Sequence, residues 1–175
     1  EGFSFRFRHI ADSIALVDYP EYRMDMVRAG ALIYGLRGFH KGFVSVRQAL
    51  TFETKICHIS HVRQGEGVSY DYTWRAPADT RVGTLPFGYA DGYPRNLRDR
   101  GFVTIRGVRC PIIGVICMDQ CMADLSQVPD AQIGDTAIIY GNGSDNAPDI
   151  QEISQLAQTN KNEIVSRLSS RPTRI

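Results

Sequence analysis

Between residues 49 and 140 the sequence is a succession of short apolar segments cut apart by turn residues, and no other feature constrains the fold as tightly. The segments lie at 49–62, 68–74, 81–85, 102–106, 110–117 and 136–140. Gly65-Glu-Gly67, Ala90-Asp-Gly-Tyr-Pro94, Arg106-Gly107 and Gly141-Asn-Gly143 separate them. Glycine supplies the positive φ of tight turns and proline cannot continue a central strand, so each interruption ends an element. Val68, Tyr70, Tyr72 and Trp74 alternate with Ser69, Asp71, Thr73 and Arg75, the period of two that marks a half-buried strand. Short strands at this spacing predict a small β-barrel or sandwich.

The two ends of the chain read differently. Phe3, Phe5 and Phe7 alternate with Ser4, Arg6 and Arg8 and predict a strand. Asp12 or Ser13 then caps a short helix through 14–17. Pro20 opens a further helical turn, and 31–36 read as a second strand. A strand–helix–strand unit belongs to an α/β fold but closes no sheet alone, so its partner strands are expected upstream on a longer chain. Residues 37–47 are glycine-rich and polar and read as a linker. At the other end, Asp149 caps a helix with Ile150, Ile153, Leu156 and Ala157 on one face, and Ile164, Val165 and Leu168 form a second apolar stripe.

The net charge is +1 and no basic run occurs, which argues against nucleic acid or an anionic membrane as partner. No apolar run is long enough to span a bilayer. The spacing of Cys110, Cys117 and Cys121 is not that of a zinc site, so no metal is expected. Free, mostly buried thiols are the expectation for these residues and Cys57.

Chemistry-bearing residues cluster at 110–124, CPIIGVICMDQCMAD. A β-branched lead-in delivers Cys117, Met118, Asp119 and Gln120, the pattern of a strand ending in a site or of a core strand running into a turn. Other stretches set the context: His9-Ile-Ala-Asp-Ser13, Met26-Val-Arg-Ala-Gly30 with Tyr34-Gly35, Gly67-Val-Ser-Tyr70, Leu85-Pro-Phe-Gly-Tyr-Ala-Asp-Gly92, Arg109-Cys-Pro-Ile-Ile-Gly114 and Ser169-Ser-Arg171. Taken in order, these segments resemble the alanine racemase family. The resemblance implies a chain that is mainly β with α. Residues 1–38 would be the last strands of a (β/α)8 barrel that binds pyridoxal 5'-phosphate, and 39–175 the C-terminal β-domain with terminal helices.

The resemblance also implies roles. Racemisation removes the Cα proton from one face of an amino acid and returns one to the other, so it needs two acid/base groups. Tyr70 matches one of them and a barrel lysine serves as the other. Lys41, Lys55 and Lys161 stand in no such context, so that lysine is expected on a longer parent, and these residues alone are expected to be inactive. His9, Ser13, Arg28, Gly30, Ala31 and Tyr89 match cofactor-binding positions, with Arg28 facing the pyridine nitrogen and the others at the phosphate or beside the ring. Cys117, Met118 and Asp119 match substrate contacts, and Arg95 lines the access corridor. The family forms a homodimer in which one subunit's β-domain completes the other's site. It makes D-alanine for peptidoglycan precursors in the cytoplasm.

Some positions depart from the family pattern. Asp12 stands where asparagine is common, and Asp71 where a small residue is usual. Ser170 stands where a tyrosine often narrows the site, leaving room for a substrate hydroxymethyl. The alternative is therefore a serine/alanine racemase of the vancomycin-resistance type, in which this segment is the cytoplasmic domain of a membrane-anchored protein. A noncatalytic β-barrel binding module and a pyridoxal-phosphate decarboxylase are further alternatives.

Overall fold

Among the described residues there are nine short strands: β1 Phe52–Lys55, β2 His58–Val62, β3 Gly67–Val68, β4 Trp74–Arg75, β5 Thr80–Leu85, β6 Phe102–Ile105, β7 Val108–Ile113, β8 Cys121–Asp124 and β9 Thr136–Tyr140. The computed structural model describes every residue except Glu1, Arg37, Phe39 and Phe43. It divides into two units, Glu1–Leu50 and Thr51–Ile175, and all nine strands belong to the second.

Seven strands form one sheet in the order β1-β9-β6-β7-β8-β5-β2. Every pairing within it is antiparallel. β1 and β2 lie at opposite edges, yet only Ile56 and Cys57 join them. Such a link reaches no further than roughly 11 Å. Seven flat strands would set the edges roughly 29 Å apart, so the sheet must curl until its edges meet. This decides for a barrel-like curl over a sandwich. It also explains why 49–62, read as one strand, is two. The Ile56 amide bonds to the Asp135 carbonyl beside β9, and the Cys57 amide to Thr84 in β5.

Inside the curl, Ile105, Ile112, Leu125, Ile139, Ile150 and Ile153 are fully buried. Phe87 packs edge-on against Phe52 and Tyr93, and Phe52 against Tyr140, with centroids 5.2–5.9 Å apart. The β6–β7 hairpin turns on Arg106 and Gly107, with φ of 51° and 76°. Positive φ at both central residues suits the right-handed strand twist. Pro111, which has no N–H to donate, sits where β7 leaves β6 and begins to pair with β8. Helix α3, Ile150–Leu156, is capped by Asp149, and a two-pronged ion pair from Arg109 to Glu152 ties it to β7. After it comes helix α4, Lys161–Ser166, capped by Asn160.

Two further strand expectations are corrected in this unit. The stretch 68–74 is a hairpin of β3 and β4 with Tyr70–Tyr72 as a 3-10 turn at its tip, because Ser69, Asp71 and Tyr72 all take positive φ and reverse the chain. The strand expected at 110–117 ends at Ile113. Gly114, at φ 70°, gives its N–H to the Asp99 carboxylate, and the chain leaves the sheet.

In the first unit, helix α1, Ser13–Asp18, is capped by Asp12, whose carboxylate accepts from the Ile14 and Ala15 amides. A 3-10 turn follows at Pro20–Tyr22. The described residues of this unit contain no strand, contrary to the reading of 3–8 and 31–36. Phe3, Phe5 and Phe7 are exposed, and among the described residues no backbone hydrogen bond reaches them. Gly30–Ile33 is instead a short helix, α2. Gly35 (φ 72°) ends it, with its own N–H bonded to Leu32 O and the Leu36 N–H to Ala31 O. That is the left-handed glycine cap that stops helices. The linker expected at 37–47 includes Arg37, Phe39 and Phe43, which lie outside the described residues. Within it, the Asp18 carboxylate accepts the His40, Lys41 and Gly42 amides.

Candidate functional site

The loop after β7, residues 114–120, gathers the motifs of the second unit. The Ser69 hydroxyl donates to the Val115 carbonyl at 2.7 Å and lies 3.6 Å from Cys117 Sγ. The Tyr89 and Ala90 amides donate to the Cys117 and Met118 carbonyls, both at 3.1 Å. Arg171 Nη1 meets Asp119 Oδ1 at 2.7 Å. Three sequence-distant segments thus fasten onto one loop.

Local chemistry sets each contact. Gly88 precedes Tyr89, and a Cβ there would collide with the Cys117 and Met118 carbonyls, so the close backbone approach requires glycine. Asp91 is 7% exposed, and its carboxylate accepts the Gly88 amide at 2.9 Å, closing the Tyr89 turn. Its other oxygen is 3.5 Å from Arg171 Nε. Asp91 O also accepts the Ser169 amide. Arg171 therefore bridges the Asp91 turn and the Asp119 loop. Its guanidinium pKa is raised, first by the hydrogen bond to Asp119 and then by the charge of Asp91. Cys121, beside this loop, has its thiol pKa pushed far up by burial and then by the neighbouring Cys117 and Asp91.

Tyr70, at 67% exposed, Tyr89, Met118 and Asp119 present their side chains to solvent, whereas Cys117 is buried. Ser170 is exposed next to Arg171, and Arg95 is exposed on a 3-10 turn at Arg95–Leu97. Of the residues expected from the sequence, Tyr89, Cys117, Met118 and Asp119 are joined by the bonds above, and Tyr70 through its neighbour Ser69. No bond draws Arg95 or Ser170 into the cluster. Sequence reasoning passed over Ser69, Asp91 and Arg171. Each stood inside a quoted motif, and a charged or hydroxyl side chain there was the available signal.

The remaining candidates belong to the first unit. The Ser13 hydroxyl accepts the Leu32 amide at 3.2 Å. Among the described residues its own proton, and the Gly30 and Ala31 amides at the start of α2, have no acceptor. A Cβ on Gly30 would meet nothing within 4 Å, so this turn is open. Arg28 donates its amide to Ala11 O and Nη2 to Ile10 O at 3.1 Å. The Asp25 amide donates to Arg8 O, so 25–28 runs beside 8–11 in the same direction. His9 is exposed next to this contact. Free amides and a hydroxyl on one turn are a donor set that fits a phosphate. The rest of the Arg28 fork remains available to an acceptor. Among the described residues no group of three or more His, Cys, Asp or Glu could hold a metal ion, and no helix is long and apolar enough to cross a membrane.

Comparison with known proteins points one way. The family model described as alanine racemase, C-terminal domain, matches residues 49–175. An alanine racemase of Desulforamulus reducens is 36% identical over 178 residues, covering 100% of this chain and 47% of that protein. One of Mycobacterium tuberculosis is 40% identical over 176 residues, covering 99% and 46%. Among solved structures, the Clostridium difficile 630 alanine racemase in complex with cycloserine superposes with a TM-score of 0.84 at 32% identity, covering 97% of this chain and 45% of that one. The Bacillus anthracis alanine racemase with bound L-Ala-P gives 0.86 at 30%, covering 96% and 44%. The chain spans about half the length of the curated relatives it matches.

Proposed function

This chain belongs to the alanine racemase family, and from that membership we propose that the protein carrying it interconverts L- and D-alanine with pyridoxal 5'-phosphate, these residues forming the C-terminal share of the enzyme. The observation that carries the reading is the gathering of three motifs on loop 114–120, through Ser69–Val115, Tyr89–Cys117 and Arg171–Asp119. A binding module that merely echoed the family would not need its exposed tyrosine turn, substrate loop and C-terminal tail locked together. In this reading, residues 1–38 are the end of a (β/α)8 barrel and 39–175 the β-domain. The parallel contact of 8–11 with 25–28 supports the first assignment.

When bound, pyridoxal phosphate makes the substrate's Cα proton acidic by delocalising the resulting negative charge. Ser13 and the Gly30 and Ala31 amides would hold its phosphate and His9 would pack beside its ring, and the Tyr89 hydroxyl would serve as a further phosphate donor by its match to the family. Arg28 would donate to the ring nitrogen and, as a permanent cation, could not pass a proton to it. Tyr70, as phenolate, accepts the Cα proton on one face and, as phenol, returns one. A tyrosine serves this way where neighbouring cations favour its ionised form. Met118, Asp119 and Cys117 set the floor on which the amino acid lies, and Arg95 lines its approach. The protein acts as a homodimer, each β-domain facing its partner's cofactor, in the cytoplasm, where it supplies D-alanine for the cell wall.

The test is chiral product analysis with L-alanine and L-serine, on the parent protein and its Tyr70→Phe variant. The expected result is alanine turnover that falls by roughly a thousandfold in Tyr70→Phe with cofactor binding kept. Unchanged turnover in the variant removes Tyr70 from the reaction. Comparable serine turnover assigns the exposed Ser170 hydroxyl a role in substrate choice.

A further inference from the structure

The residue before Tyr70 has a backbone that an ordinary side chain avoids. Ser69 sits at φ 66°, ψ −171°, a region essentially reserved for glycine. The strain continues past the tyrosine, with φ of 61° at Asp71 and 47° at Tyr72. The Tyr72 ring lies where a Cβ on Gly67 would be, so the turn is packed down on its own hairpin. A glycine at position 69 would relieve the strain, yet serine stands there. Its hydroxyl donates to Val115 O at 2.7 Å, and its Cβ lies 2.9 Å from where a Cβ on Gly114 would fall. Val115 leads directly into Cys117, Met118 and Asp119.

We infer that Ser69 is a positioning residue. Its hydroxyl spends one hydrogen bond to hold a strained turn against loop 114–120, fixing the direction in which Tyr70 presents its phenol relative to Met118 and Asp119. The inference rests on the proposed racemase reading, in which Tyr70 is an acid/base group. Strain at a functional turn persists where surrounding structure over-determines it. Here the over-determining contacts run from the Ser69 hydroxyl, bonded to Val115 O and 3.6 Å from Cys117 Sγ, to the loop that carries the proposed substrate contacts. The Ser69 hydroxyl takes no part in the proton transfer itself.

Two substitutions separate the effects, made in the parent holoenzyme. Ser69→Gly removes the strain and the bond together. Ser69→Ala removes the bond and keeps the strain. The expected melting temperature of Ser69→Gly is at or above that of the parent, and that of Ser69→Ala is below it. Both variants should lose roughly tenfold or more in kcat, because a displaced base loses near-attack geometry. Since the two enantiomers have equal energy, kcat/KM must fall equally in both directions. The discriminating readout is the primary isotope effect with Cα-deuterated alanine. In Ser69→Gly it should rise for the enantiomer deprotonated by Tyr70 and fall toward unity for the other, whose slow step becomes proton return by Tyr70.

Unchanged kcat and isotope effects in Ser69→Gly, with Tyr70→Phe inactive, would overturn the inference and leave the racemase reading standing. A loss that raises both isotope effects alike, or that follows lost cofactor or a lowered melting temperature in Ser69→Gly, would make the serine structural and also overturn it. Full activity in Tyr70→Phe would remove the racemase role of Tyr70, and the inference with it.

Discussion

Arg171 makes one guanidinium serve two carboxylates on different segments, 2.7 Å from Asp119 and 3.5 Å from Asp91. Arg171 and Asp119 are both about half exposed or more, so solvent screens the pair and its share of stability is small. Its value lies in orientation, because Asp119 sits beside Met118 on the proposed substrate loop. Arg171→Met is expected to leave the thermal midpoint within a degree or two while lowering kcat/KM roughly tenfold, mainly through KM. Arg171→Lys should recover only part of this, since an ammonium cannot span both partners as a planar fork does. A variant whose KM is unchanged would show that Asp119 holds its place unaided.

At the scale of single elements, glycines divide into those that serve a conformation and those that serve a contact. Gly107 has φ 76° and open space around it, so Gly107→Ala should cost only the left-handed backbone term, about 1 kcal/mol in a denaturant titration, with activity kept. Gly88 has an extended backbone at φ −160°, but a Cβ there strikes the carbonyls of Cys117 and Met118. Gly88→Ala should therefore push Tyr89 off the loop and reduce activity as well as stability. A native-like rate in Gly88→Ala would show that the two loops need not touch. The same distinction sets what was legible in the sequence. Arg106-Gly107 and Asp149 act on their immediate neighbours, so turn and cap chemistry could be read from a few adjacent letters. The Tyr70 turn could not. Its alternation of Val68, Tyr70, Tyr72 and Trp74 is a strand pattern, whereas positive φ at Ser69, Asp71 and Tyr72 reverses the chain and the turn is held by a contact with Val115 far along the sequence. Helix α2 was likewise hidden, because Ala31, Leu32 and Ile33 are as apolar as a strand and the deciding partner is the Ser13 hydroxyl.

For the molecule as a whole, the short strands and the family motifs could be read in advance, but the closure of the sheet could not, because it depends on which strands sit at the edges. The second unit buries three thiols, Cys110, Cys117 and Cys121. Burial, aided by Asp124, raises the Cys110 pKa to about 11, and Cys121 is raised further by burial. An unfolded thiol ionises near 8.5, so above that pH the unfolded chain binds fewer protons than the folded one. Stability from these groups is complete below about pH 8.5 and is lost as the pH climbs toward 11, by up to about 1.4 kcal/mol per thiol and pH unit. Denaturation midpoints across pH 7–10.5 should fall in that window, and a Cys110→Ala, Cys121→Ala variant should flatten the fall. In the native protein a thiol reagent should modify exposed Cys57 promptly and the three buried thiols, Cys110, Cys117 and Cys121, only on unfolding. A pH-independent midpoint, or rapid labelling of Cys110, would contradict the burial.

The two-residue link at Ile56-Cys57 has a consequence for how the chain reaches this state. β1 pairs with β9, Phe52 opposite Tyr140, across most of the second unit's sequence. During synthesis the first strand of the sheet therefore leaves the ribosome long before its neighbour exists, while β2 can already settle on β5. Loop-closure entropy favours the short hairpins, β6 with β7 and β3 with β4, before the distant pair, and β1 is expected to dock last, delivered to β9 by its two-residue link once β2 is seated.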